Sequence, residues 1–271
     1  MIGVYGWFSV GVRMPCGDGL EISIITVSKN SVTTIADTIK SVLSQKYNNI
    51  EYIVVDGGSV DGTADVVGCY GDVVDKFVTE EDNGIYDAMN KGIQFASGEV
   101  IGFINSDDFY ASSEVIVKVA KVFSDPTVDA CYGDLCYVKQ GDVNSVIRYW
   151  RSSEFTPGLF LHGWCPPHPT FFVRRCVFER LGGFDLQYKI AADVELMIRF
   201  IEVNRIRTRY IPEVLVNMRM GGASNSSWSN VLMQNREIWH VLSEHNIRPS
   251  LISFVVGKLL LRGKQFFSRP G

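Results

Sequence analysis

ISIITVSKNSVTTIADTIKSVL, residues 22–43, decides the fold class. Residues 22–27, dominated by Ile and Val, make a strand with no solvated face, and Ile35, Ile39, Val42 and Leu43 then recur at helical spacing behind a cap at Ser31. A strand buried on both faces and followed by a covering helix is the unit of a parallel sheet. Strands are expected again at 52–55, 73–78 and 100–104, with a helix between 83 and 96 that Gly98 ends. Past Phe109, a helix at 114–123 leads to a strand at 128–132 and an antiparallel stretch through Tyr137 and 146–150. A short strand at 170–173 and helices near 174–181 and 192–203 follow. The expected architecture is α/β: a Rossmann-like, mostly parallel central sheet flanked by helices, with a small antiparallel element and C-terminal helices. The expected organisation is an irregular leader at 1–20, one domain at 21–225 and a helical appendage at 226–271.

The 271 residues are 46% hydrophobic and 21% charged, which supplies a full core and excludes a disordered chain. A net charge of −4 excludes a general nucleic-acid coat, because phosphate neutralisation needs clustered Lys and Arg. The charge is uneven, with +4 on residues 236–271 and −8 on the remainder. Six cysteines include no Cys-x-x-Cys pair, so a reducing cytosol is the expected compartment. Residues 1–12 are apolar but have neither a positive segment before them nor a small-residue cleavage site after them, which reads as a leader and not an export signal. No apolar run reaches the ~18 residues of a spanning helix.

Ligands of open parallel sheets bind outside the carboxyl ends of the strands. There, Val55 runs into Asp56-Gly57-Gly58-Ser59-Val60-Asp61-Gly62-Thr63, and Ile104 runs into Asn105-Ser106-Asp107-Asp108. An acid followed by glycines suits the hydroxyls of a ribose or a base, and equally an Asx turn capping a helix. The absence of Gly-x-Gly-x-x-Gly disfavours a dinucleotide site. Asp107 and Asp108 are adjacent carboxylates that repel unless a cation or donors balance them. Hard oxygen ligands suit Mg²⁺ or Mn²⁺ holding a diphosphate.

ISIITVSKN (22–30), VVDGGSVDGT (54–63), EDNGIYDAMNKGI (81–93), GEVIGFINSDD (98–108) and GGFD (182–185) with AADVEL (191–196) resemble family 2 glycosyltransferases of the GT-A fold. DNGIYDAMNKG is most similar to the bacterial branch that builds capsule, O-antigen and exopolysaccharide. The resemblance covers roughly residues 21–224. It implies an inverting transfer from a nucleotide-sugar donor to a glycan hydroxyl, with Mn²⁺ or Mg²⁺ on the diphosphate. Carried over, Thr26, Val27 and Ser28 line the nucleotide, Asp56 meets the base or ribose, and Asp82 and Lys91 hold the donor. The family's Asp-x-Asp metal motif falls on Asn105-Ser106-Asp107. Its first acid is replaced by Asn105, which leaves Asn105 and Ser106 to the donor and puts the metal on Asp107, with Asp108 as a second candidate ligand. The family's general base falls on Asp193, while Glu195 points elsewhere on the same helix. His168 and Trp164 are expected near the donor sugar and acceptor, with Trp150 as a further stacking surface. Gly221-Gly222-Ala223-Ser224 resembles a loop that closes over the site in relatives.

The segment 250–267 is apolar, and Lys258, Arg262 and Arg269 fall close to one helical stripe. This pattern predicts a basic interfacial helix on an anionic membrane surface, with a helix that packs on the domain or forms an oligomer, such as a homodimer, as the alternative. The resemblance adds a polyprenyl-diphosphate-linked acceptor, no nucleic-acid partner, and a cytoplasmic enzyme peripheral to the inner face of the cell membrane. Two rival readings are weaker. A sugar-phosphate nucleotidyltransferase would want a Gly-rich, basic loop where Val27-Ser28-Lys29-Asn30 stands. A non-catalytic sugar-nucleotide binder or membrane scaffold is suggested by Asn105 and opposed by Asp107, Asp108 and Asp193.

Overall fold

The computed structural model describes residues 19–221, 228–245, 247 and 250–267. Residues 1–18 of the expected 1–20 leader, Gly222 to Ser224 of the expected closing loop, and Arg269 lie outside the described residues.

Strand β1 (Ile22–Ser28) is buried at every position. Its alternating side chains feed two cores: Ile22 and Ile24 pack with Ile35 and Ile39 of α1 (Ile35–Leu43), and Ile25 and Val27 with Ala88 and Met89 of α3 (Ile85–Phe95). β2 (Ile50–Asp56) and β4 (Val100–Asn105) flank β1 in parallel, and β3 (Lys76–Thr79) extends the sheet beyond β2, with α2 (Thr63–Gly68) between them in the chain. β3 starts later than the expected 73–78, because Val73 and Val74 donate their N–H groups to the Tyr70 carbonyl and close a turn. The buried carboxylate of Glu51 on β2 accepts from Ser23 Oγ, Lys76 Nζ, and both the N–H and Oγ of Ser97, tying three strands to the turn that precedes β4.

The second half is mixed. β5 (Phe109–Tyr110), α4 (Val115–Phe123), β6 (Ala130–Lys139), β7 (Asp142–Trp150), β8 (Phe172–Arg174), α5 (Arg175–Leu181), α6 (Ala192–Met197) and β9 (Thr208–Arg219) precede two C-terminal helices, α7 (Trp228–Glu244) and α8 (Leu251–Phe267). The sheet runs β3-β2-β1-β4-β8-β6-β9-β5, with β7 paired to β6. β8 is antiparallel to both β4 and β6, while β9 runs parallel to β6. The expected strand at 170–173 becomes a 3₁₀ turn at His168–Thr170 followed by β8. The expected helix 192–203 is α6 continued by a wider π turn at Ile198–Val203.

Helices α7 and α8 pack onto the domain. Ile238, Val241, Leu242 and Phe254 share one buried core with Ile25, Met89 and Phe103. Among the described residues no helix is long and apolar enough to cross a membrane.

Candidate active site

The register that pairs Val27 with Asn105 brings the ends of β1 and β4 together, and they open onto a cavity of about 1030 Å³. Val27, Ser28, Asn105, Ser106 and Asp107 line it from the sheet, Asp82 from the connection before α3, and Trp150, Trp164, His168 and Asp193 from the second half. Chain segments more than a hundred residues apart thus converge on one space.

Four expected site residues do not line this cavity. Thr26 is fully buried, its hydroxyl 3.1 Å from that of Tyr52. Asp56 is fully buried too, and its two oxygens accept from Ser28 Oγ, Ser59 N–H, Ser59 Oγ and Thr79 Oγ1. That saturated carboxylate shapes the β1 and β2 ends. Lys91 faces the acidic strip before α3, pairing with Glu80 at 3.0 Å and Asp87 at 3.8 Å. Asp108 is fully buried and accepts from Asn105 Nδ2 and the Arg219 N–H.

Asp82 reaches the cavity because residue 57 is glycine. A Cβ at Gly57 would stand 2.0 Å from Asp82 Oδ2. The carboxylate is fixed by the Gly84 N–H at 3.0 Å and lies 3.8 Å from Lys29.

Asp107 and Asn105 present two oxygen donors of the kind a hard divalent cation takes. Burial raises the Asp107 carboxyl above its ordinary value although Arg219 acts the other way, and burial together with the Asp107 charge pushes Asp108 well above its own. Two such groups call for a positive balance. Asn105 donates its side-chain Nδ2 to Asp108, and no donor among the described residues meets its side-chain Oδ1. One carboxylate and one amide oxygen, completed by phosphate and water, fit Mg²⁺ or Mn²⁺. Among the described residues no group of three His, Cys, Asp or Glu is gathered for a metal.

Asp193 stands in the first turn of α6, with Tyr86 Oη 3.1 Å from its Oδ1 and 2.9 Å from the Ile190 carbonyl. The preceding loop is held by Glu237 of α7, whose carboxylate accepts the N–H groups of Lys189, Ile190 and Ala191 at 2.9–3.1 Å. Glu195 faces away, bound to Arg199 at 2.8 Å. His168 is buried, stacked on Phe103 at 5.7 Å, and burial depresses its imidazole against the pull of Asp193, so it serves as a neutral ring. Trp164 is 7% exposed, and its Nε1 is a buried donor with no partner among the described residues. Tyr86 and Glu237 escaped sequence reasoning, and the α8 side chains Lys258 and Arg262, which line the cavity, were read from the sequence as membrane-facing. Tyr86 sits inside DNGIYDAMNKG, so its motif was the available signal; Glu237 carries none.

Residues 23–182 match the family model described as glycosyl transferase family 2. The chain belongs to that family. A PGL/p-HBAD biosynthesis glycosyltransferase of Mycobacterium bovis is 28% identical over 209 residues, 75% of this chain and 79% of the relative. An uncharacterized glycosyltransferase of Mycobacterium tuberculosis is 33% identical over 183 residues, 66% of this chain and 68% of the relative. Among solved structures, residues 1–349 of S. aureus TarS in complex with UDP-GlcNAc align with a TM-score of 0.67 at 17% identity, over 90% of this chain and 71% of that one. The mannosyltransferase PcManGT from Pyrobaculum calidifontis, in complex with GDP-Man and Mn²⁺, aligns with a TM-score of 0.63 at 19% identity, over 91% of this chain and 69% of that one. This glycosyltransferase therefore has the GT-A fold, a mixed sheet of parallel strands with a small antiparallel part, as its sequence predicted.

Proposed function

We propose that the chain moves a hexosyl unit from a nucleotide-sugar donor to a hydroxyl of a glycan acceptor with inversion. The observation that carries this reading is that Asp107 and Asp193 face one cavity from two independent elements, the β4 end and α6. Inverting transfer needs one carboxylate beside the attacking hydroxyl and a positive charge beside the leaving diphosphate. Asp193 takes the hydroxyl proton on a carboxylate oxygen as the acceptor oxygen bonds to the anomeric carbon. The bond from that carbon to the diphosphate oxygen breaks, and its electron pair leaves with the nucleoside diphosphate. Asp107, with the Asn105 carbonyl, is the place for Mn²⁺ or Mg²⁺, which when bound supplies charge neutralisation to the diphosphate. Val27, Ser28, Asp82 and Ser106 border the donor. A sugar hydroxyl would satisfy the unpartnered Trp164 N–H, whose burial alone costs about 1–3 kcal/mol, and His168 stands beside it in the same wall.

The acceptor is read as a lipid-linked intermediate of bacterial surface polysaccharide synthesis at the inner face of the cell membrane. The apolar outer side of α8 supports this. Ile252, Leu259 and Leu260 there are 76%, 65% and 61% exposed. Of the basic residues expected on that side, Lys258 and Arg262 line the cavity. The test is a thermal-shift screen of nucleoside diphosphates and their sugars with Mn²⁺, followed by donor hydrolysis. The expected result is one stabilising nucleotide whose sugar conjugate is hydrolysed slowly by the wild type and at background rate by Asp193→Asn. Stabilisation without hydrolysis would make the chain a binder.

A further inference from the structure

Seven Lys and Arg side chains but only three Asp side chains line the cavity among the described residues, in a chain whose net charge is −4. Three of the cations form a group on β7 and α8. Arg148 comes from β7, and Lys258 and Arg262 lie one turn apart on α8. Each oriented cation is held by neutral groups. Lys258 Nζ donates to Asn235 Oδ1 at 2.6 Å. Arg148 Nε donates to Gln265 Oε1 at 2.6 Å, with the guanidinium 4.2 Å over the Tyr137 ring. Among the described residues no carboxylate pairs with any of the three.

Such an arrangement is costly by itself. Like charges four residues apart on a helix repel, and half-buried cations lose hydration that no counter-charge restores. Burial, then Arg262, lower the Lys258 ammonium to about 8, and burial likewise lowers Arg148. The helix is nevertheless seated closely: a Cβ at Gly257 would stand 2.3 Å from the His162 carbonyl oxygen, and one at Gly163 would stand 2.8 Å from Lys258 Cβ. Close packing aims the cations inward.

We propose that Arg148, Lys258 and Arg262 form a phosphate-binding subsite, and that it holds the phosphate or diphosphate of a sugar-phosphate acceptor. This rests on the reading of Asp193 as the base. Lys258 packs on Gly163, and Cys165, two residues on, lies 3.9 Å from Met197 of α6, one turn from Asp193, so the Lys258 end of the cluster lies on the Asp193 side of the cavity. On this placement an acceptor hydroxyl at Asp193 sets its anomeric phosphate toward Lys258 and Arg262, which line the same cavity. The exposed apolar side of the same helix lies behind the cluster, where the lipid of such an acceptor would continue.

Phosphate on the donor has the same chemistry, so the experiment separates the two sources. Inorganic pyrophosphate is titrated by calorimetry into the full chain, with and without saturation by the nucleoside diphosphate that the screen identifies. The expected result is one pyrophosphate per nucleotide-saturated chain. Its affinity should weaken by about tenfold or more in the Lys258→Gln/Arg262→Gln double variant and in Arg148→Gln, and stay within about threefold in Lys258→Arg. Arg262→Gln alone, at a partly exposed side chain, keeps the test open if the double variant fails to fold, and should lose about fivefold. No pyrophosphate site beside bound nucleotide overturns the proposal, as does a double variant whose nucleotide affinity itself drops tenfold. Loss of sugar-nucleotide hydrolysis would count against the transferase reading, and the pyrophosphate titration would still decide this one.

Discussion

Tyr86 Oη lies 3.1 Å from Asp193 Oδ1, joining α3 to the first turn of α6 across the floor of the cavity. A hydroxyl at that distance orients the carboxylate without consuming both of its oxygens. Asp193→Asn is expected to lower turnover by about 10² to 10⁴ with nucleotide-sugar binding unchanged. Tyr86→Phe should cost about tenfold in kcat, the value of one oriented hydrogen bond, with donor KM unchanged. Steady-state kinetics against both substrates checks this, and normal turnover of Asp193→Asn would move the base elsewhere.

Asp107 and Asp108 are expected to behave differently despite being neighbours. Asp107→Ala should remove activity and abolish its dependence on added Mn²⁺ or Mg²⁺, a loss of several kcal/mol of transition-state stabilisation. Asp108→Asn keeps an acceptor for the Arg219 N–H and removes a buried charge, so it should retain the metal requirement and fold within about 1 kcal/mol of wild type. EDTA titration of each variant distinguishes them, and full wild-type activity in EDTA would refute the metal role.

Gly57→Ala probes the seat of Asp82. The added Cβ meets only the end of the Asp82 side chain, which can rotate away, so the cost to stability is expected to be below about 1 kcal/mol. The displaced carboxylate should weaken nucleoside diphosphate binding by about tenfold. Calorimetric titration beside a thermal melt separates the two effects, and unchanged nucleotide affinity would remove Asp82 from the donor site.

Glu51 supplies a pH-dependent part of stability. Burial disfavours its charge, but Lys76, Ser23 and Ser97 outweigh that and hold the carboxyl at about 2, against an ordinary 4.5. The folded value lies below the unfolded one, so the contribution is complete above pH ~4.5 and is lost as pH falls toward 2. It is on the order of 3 kcal/mol. Urea unfolding of wild type and Glu51→Gln should differ most near neutral pH and converge in acid. A difference independent of pH would show that packing, and not the charge, is what Glu51 provides.

The outer side of α8 should govern membrane attachment. Ile252→Glu with Leu259→Glu places charge where both side chains are exposed, and is expected to weaken sedimentation with anionic phospholipid vesicles by about tenfold or more. Nucleotide binding should be unaffected, because neither residue lines the cavity. If wild type never sediments and the double variant instead dissociates a dimer in ultracentrifugation, α8 is an oligomer helix.

The parallel half of the sheet was readable because burial on both faces leaves an unbroken apolar signature, as at Ile22–Val27 and Val100–Ile104. β9 was not anticipated. Its partner register shifts around Pro212, which has no N–H to donate, and its burial does not alternate cleanly, so no period marks it. At the site, strand-end motifs located Ser28, Asn105 and Asp107. The same motifs made Asp56, Asp108 and Lys91 look equally exposed to ligand. Which side of a strand end faces the cavity depends on donors from distant segments, such as Thr79 for Asp56 and Arg219 for Asp108, and no local pattern reports them. The C-terminal stripe misled for a related reason: apolar and basic residues were read as one membrane-facing surface, whereas packing against the 159–163 turn divides them between solvent and cavity.

The cavity wall contributed by α8 lies far beyond residue 182, where the family match ends. Inheritance can therefore treat the two sides of the reaction separately. On the proposed placement of the acceptor, substitutions in α7 and α8 are expected to redirect the enzyme to a new recipient while its handling of the activated sugar stays as it was. Grafting the C-terminal helices of one relative onto the sheet of another is accordingly a route to new glycosidic linkages built from an old donor.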